Sequence, residues 1–141
     1  MYKISTRGQY ALLIMTELAE LPEGKFISLK LLSHRHNLSV KYLEQILIQL
    51  SKAKLVAGVR GNNGGYRIVK KTDEYTTGEI LRALEGELSP VGESHNNVIS
   101  NVGNDDYWKD FENVINNYVD SVTLETLVEK NRSDIGEMYY I

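Results

Sequence analysis

The chain has 141 residues, no cysteine and a formal net charge of -3. That length holds one domain and at most an added oligomerisation element, and without a thiol there is no disulfide, no thiolate catalysis and no cysteine-ligated zinc or iron-sulfur site. The charge is segregated: residues 1–72 carry twelve Lys or Arg against four Asp or Glu, a balance of +8, and residues 73–141 carry four against fifteen, a balance of -11. A basic front half suits a partner made of phosphates.

Thr6 to Leu21 has helical spacing, with Tyr10, Leu13, Ile14, Leu18 and Leu21 on one face and Ser5 or Thr6 as N-cap. Pro22-Glu23-Gly24 ends it. Ser28 then caps a second helix to about His36, with Ile27 and Leu32 at the spacing of a hydrophobic staple. The device repeats at once, with Ser39 as cap and Leu38 and Leu43 as staple. So short a link between two helices is what a helix-turn-helix requires.

In the third helix Leu43, Ile46, Leu47 and Leu50 share one stripe at about 100° per residue, while Lys41, Gln45 and Lys52 point the other way. VAGVR and YRIV follow, separated by Gly61-Asn62-Asn63-Gly64-Gly65, and read as a β-hairpin. A one-sided helix followed by a hairpin with an arginine at its tip has the parts of a winged helix-turn-helix reader of DNA. The segment Asp73 to Thr77 should cap a fourth helix that ends at Gly86.

Residues 87–106 are polar and irregular and read as a loop. Order is expected to resume at Tyr107, where Trp108, Phe111, Ile115, Tyr118 and Val122 form the seam of a helix that packs along another helix. A second copy of the chain is the expected cover, and packing back on its own domain is the alternative. Thr123 caps a last helix, LETLVEK, with Val122 and Leu127 as its staple, and the apolar end runs from Gly136 to Ile141. The fold expected is therefore mainly α with a small β-hairpin: a winged helix-turn-helix DNA-binding domain over residues 1–86, a polar loop over 87–106, and dimerisation helices with a C-terminal tail over 107–141.

No apolar run approaches the roughly 18 residues of a membrane span, and MYKISTRGQY lacks a signal peptide's apolar core. A cytoplasmic protein without a membrane partner is expected. His34, His36 and His95 do not make a metal site, since the first two are two residues apart and face different ways on a helix. No nucleophile stands with a base, and the phosphate-loop and dinucleotide fingerprints are missing, so the chain is not read as an enzyme.

The opening KISTRGQYAL, the helix LSVKYLEQI, the wing VRGNNGGYRI and the later GEILRALEG together resemble the Rrf family of bacterial winged helix-turn-helix repressors, over most of the chain. Its iron-sulfur-sensing members carry cysteines in the loop after the fourth helix. Residues 87–106 have none, so no cluster or other cofactor is expected. Within the family the chain is most similar to the cluster-free repressors of cysteine metabolism, through Leu88-Ser89-Pro90-Val91, the stretch DSVTLE from Asp120, and Met138-Tyr139-Tyr140-Ile141.

The resemblance implies a homodimeric repressor on a palindromic operator, with cysteine synthase as co-repressor. It would place Ile141 and its carboxylate in the synthase active site with Tyr139 and Tyr140 behind, because a carboxylate beside an apolar side chain mimics an amino-acid substrate. Two alternatives are a winged helix used only for protein contact and a regulator of unrelated genes that answers a small ligand.

Residues near the start of a recognition helix reach base edges, which makes Lys41, Tyr42, Glu44 and Gln45 the candidates, with Ser39 at the cap. Glu44 near DNA needs a donor, such as a cytosine amino group, or a neutralising cation; an ion pair with Lys41 or Lys52 is the plain alternative. Arg60 is placed for the minor groove or its phosphates, and Gly61, Gly64 and Gly65 permit the tight backbone beside it. Lys3, Ser5, Arg7, Ser28 and Lys30 are expected at phosphates, which suit hydroxyls, cations and helix N-termini.

Overall fold

The computed structural model describes residues 3–61, 64–91 and 99–139, with side chains as far as Asp134. Six helices and one hairpin follow in the order α1 (Thr6–Ala19), α2 (Leu29–His36), α3 (Val40–Lys52), β1 (Val56–Val59), β2 (Gly65–Ile68), α4 (Thr77–Glu85), α5 (Val102–Ser121) and α6 (Leu124–Tyr139). None of the described helices is long and apolar enough to cross a membrane.

Three serines start the first three helices as their sequence context requires. Ser5, Ser28 and Ser39 each accept a hydrogen bond from a backbone N–H in the first turn, at 3.1 Å in every case. Thr76 and Glu79 form a reciprocal capping box at α4. The strands β1 and β2 pair antiparallel, with Val56 opposite Ile68 and Val59 opposite Gly65.

One core holds the first four helices and the hairpin together. α1 packs against α3, α4 and α6, and Ile14, Met15, Leu32, Leu43, Ile46, Leu47, Leu50 and Ile80 are all fully buried. Burial on several sides explains a departure from the expected face of α1. Ala11, Met15 and Ala19 are buried, whereas Leu13 is 46% exposed.

The last helix also differs from expectation. Leu124 and Val128 lie in the same core as α1 and α3, so α6 is packed with residues 1–86 although the chain order had grouped it with the oligomerisation segment. Two backbone bonds fix this return, from Thr77 N to Val122 O at 2.9 Å and from Leu124 N to Tyr75 O at 3.0 Å. The helix also continues past Lys130 to Tyr139.

α5 starts at Val102, five residues before the expected Tyr107, with Asn101 as N-cap accepting from Asn104 N at 3.0 Å. The supposed loop is pinned at its start as well, because Leu88 is buried against Leu81 and Val119.

Candidate nucleic-acid interface

The turn between α2 and α3 sets the angle of the reading helix. Asn37 takes a left-handed conformation at φ 51°, which lets Leu38 N reach back to Ser33 O at 3.1 Å. Ser33 Oγ returns a bond to Leu38 O at 2.5 Å. Asn is one of the few residues that adopts this backbone at little cost, so the two helices meet in a fixed turn.

α3 then buries Leu43, Ile46, Leu47 and Leu50 and leaves Lys41, Glu44, Gln45 and Lys52 exposed. Ile48 stands among them at 42% exposure. The sequence reading missed it, although an apolar residue between Lys41 and Lys52 on the outward arc is the signal, since such a side chain can meet a thymine methyl. Glu44 makes no ion pair among the described residues, so Lys41 and Lys52 do not neutralise it within the chain.

The wing is joined to the helix-turn-helix. Ile27 and Tyr66 exchange backbone bonds of 3.1 and 2.9 Å, which makes the residue before the Ser28 cap a third partner of the hairpin. Gly65 is needed for this approach, because a Cβ there would lie 2.1 Å from Ile27 O. Arg60 and Gly61 are exposed beside it, Gly61 at φ 114°. Asn62 and Asn63, within the expected turn, lie outside the described residues.

Tyr75, fully buried, holds the base of the wing. Its hydroxyl donates to Leu55 O at 2.7 Å and accepts from Val69 N and Lys70 N at 2.9 and 3.1 Å. The sequence reading gave it only a place near a helix cap, since nothing local ties it to Leu55.

The expected phosphate contacts divide. Lys3 and Lys30 are exposed, and Ser28 caps α2. Ser5 is otherwise engaged: its N–H and its hydroxyl both donate to Glu85 Oε1, at 2.8 and 2.5 Å. Gly8 permits that closeness, since a Cβ there would stand 2.4 Å from the same oxygen. Arg7 is turned onto α3, where it donates to Gln45 and Gln49 and lies over the ring of Tyr42.

The seam expected for dimerisation is split by the fold. Ile115 and Val122 are half-buried, with Ile115 packed on the small cluster of Leu81, Leu88 and Val119. Trp108, Phe111 and Tyr118 are exposed, and so are Tyr107 and Val114 on the same side. The three aromatic residues at the start of α5 touch one another, Tyr107 to Trp108 at 5.0 Å and Trp108 to Phe111 at 6.3 Å between centroids.

Arg82 ties α5 to the reading half through a two-pronged contact with Asp120, at 2.7 and 3.0 Å, and a bond to Asn116 at 2.6 Å. The hydrogen bonds and the charge of Arg82 hold the Asp120 carboxyl below its ordinary range. Glu17 on α1 is also perturbed. Burial works against its charge, but hydrogen bonds from Arg35 and His36 at the end of α2 outweigh burial and lower its pKa. Of the tail, Tyr139 ends α6 with its side chain undescribed, and Tyr140 and Ile141 lie outside the described residues.

A one-sided helix entered through a fixed turn, with a hydrogen-bonded wing beside it, defines a winged helix-turn-helix protein of the DNA-binding class. The family model described as "Iron-dependent Transcriptional regulator", Rrf2, matches residues 4–130, and the chain belongs to that family of non-enzymatic transcription regulators. It is 39% identical over 140 residues to the HTH-type transcriptional regulator CymR of Bacillus subtilis, covering 99% of each chain.

Among solved structures it is similar to CymR, the global cysteine regulator of B. subtilis, with a TM-score of 0.80, 39% identity and coverage of 92% of this chain and 98% of that one. It is also similar to IscR of T. potens, with a TM-score of 0.74, 32% identity and coverage of 92% and 88%. The residues present do not fit a thiolate-held iron-sulfur cluster. The chain contains no cysteine, and the described residues hold no group of three His, Asp or Glu placed for a metal ion.

Proposed function

We propose that this DNA-binding regulator acts as a homodimeric repressor on a palindromic operator, with α3 in the major groove and Arg60 of the wing at the minor groove. The observation that carries the dimer is the outward side of α5, where Tyr107, Phe111, Val114 and Tyr118 are exposed on one helix. A large apolar patch on a soluble chain marks a contact surface, and a twofold pair would set two reading heads on one duplex. Lys41, Glu44 and Gln45 contact bases, while Lys3, Ser28 and Lys30 contact phosphates.

The finer reading is a regulator of cysteine metabolism that uses no metal cofactor and has cysteine synthase as co-repressor. Its support is the 39% identity to CymR across the chain and the lack of any cysteine. The contact with the synthase falls to residues 139–141. Deleting them is expected to leave operator binding intact and abolish capture of purified cysteine synthase; capture at full strength by the truncated chain contradicts the assignment.

The operator reading is tested on single-base variants of a bound promoter fragment. Glu44→Ala is expected to relax preference at one base pair by about 1–3 kcal/mol, and Arg60→Ala to weaken binding at all variants alike. An unchanged preference profile for Glu44→Ala removes Glu44 from base reading. Affinity should also fall steeply as salt rises, and binding indifferent to salt would instead favour a protein-contact module.

A further inference from the structure

The side chain that decides what the reading helix offers to a base pair comes from α1. Arg7 Nη2 donates to Gln45 Oε1 at 3.1 Å and Nη1 to Gln49 Oε1 at 3.4 Å. Its guanidinium also lies 5.7 Å from the centre of the Tyr42 ring, and that ring meets Tyr10 of α1 edge-on at 6.2 Å. Arg7 is therefore held by three residues of α3, 35 to 42 positions away in the chain, where a residue serving only a phosphate would need none of them.

A guanidinium has donors and no acceptor. The end of the Gln45 amide facing it is thus the carbonyl oxygen, and the free edge of this exposed side chain is the Nε2 amino group. Two-point recognition of adenine needs both ends of the amide on one base, the oxygen accepting from N6 and the amino group donating to N7. With the oxygen already accepting from Arg7, adenine N6 would have to share it or displace the guanidinium, so that arrangement is disfavoured. What is left is a pair of donors, and the base edge that answers donors with two acceptors is guanine, through N7 and O6.

We infer that Arg7 is a positioning residue for base choice: by holding the oxygen of Gln45 it makes the reading helix a donor toward the major groove and selects guanine over adenine at the base pair below. The inference rests on the DNA-reading role of α3 given above. Arg7 itself touches no base.

The test is selection of duplexes from a randomised pool by the full-length protein and by Arg7→Met, which retains the stem beside Tyr42 and removes the donors. Wild type is expected to yield a motif with a guanine that Gln45→Ala makes indifferent. Arg7→Met is expected to shift that same position toward adenine by about tenfold. An Arg7→Met motif identical to wild type, with affinity lower for every sequence and the salt slope reduced by about one, identifies a phosphate contact and overturns the inference.

Thermal melting checks that Arg7→Met folds. Where it does not, Gln45→Glu keeps a partner for Arg7 and replaces the amino group with an acceptor, so guanine should give way to cytosine at that position; retained guanine overturns the inference. A wild-type pool that enriches no sequence overturns the DNA-reading account itself, an outcome distinct from an enriched motif that Arg7 does not influence.

Discussion

α3 and α5 carry apolar stripes of the same kind and meet different fates. The stripe of α3 is covered within the chain, with Leu43, Ile46, Leu47 and Leu50 each at 0% exposure. Of α5 only Val119 is buried, its inner edge resting on Leu81 and Leu88, while the side bearing Phe111 and Tyr118 faces outward. Helical period thus reports that a stripe exists and not what covers it. In this chain the covered stripe leaves a polar face outward, the one proposed to read DNA, and the uncovered stripe is the surface proposed for a second copy.

The largest expected effect breaks the α5 side of that contrast. Phe111→Asp places a charge on the outward face without entering the core, so the monomer should keep its melting temperature. Sedimentation should show loss of the dimer, and operator affinity should fall by about a hundredfold or more, because the second half-site no longer binds at high effective concentration. A dimer that persists in Phe111→Asp would assign the apolar side of α5 another purpose.

A smaller effect sharpens the α3 side. Tyr75→Phe strips Leu55 O of its donor and Val69 and Lys70 of their acceptor in a buried setting. Groups left unpaired in this way cost about 1–3 kcal/mol. Urea denaturation should report that loss while sedimentation still shows the dimer, separating the packing of the reading half from assembly. An unchanged midpoint would contradict the role of Tyr75.

The smallest effect is a dependence on acid. The folded pKa of Glu17 lies below its ordinary 4.5. The stabilisation it gives is therefore fully present above that ordinary value and is lost as pH falls through the lowered folded one. Stability measured from neutral pH down through the carboxylate range should fall, and Glu17→Gln should flatten part of that fall. A Glu17→Gln curve parallel to wild type would show that its contacts with Arg35 and His36 contribute nothing.

Most of the reading half was legible in the sequence because its determinants are local. Ser28 and Ser39 announce α2 and α3 within a few residues, and the glycines of the wing sit where the backbone approaches Ile27. The start of α5 was missed because Gly103 and Asn104 are weak helix formers, so that the Asn101 cap was read as part of a loop. The return of α6 into the core and the burial of Tyr75 depend on contacts across long stretches of chain that no spacing encodes. Arg7 is the clearest case at the interface. A cation in the basic half near a helix start suggests a phosphate, and only the fold brings it against Gln45 and Tyr42.

The central claim is that two chains, joined through α5, present two reading heads to one duplex. Native mass measurement of the complex with a single bound promoter fragment tests it most directly. The account predicts two protein chains per duplex, and a saturated complex of one chain per duplex would contradict it.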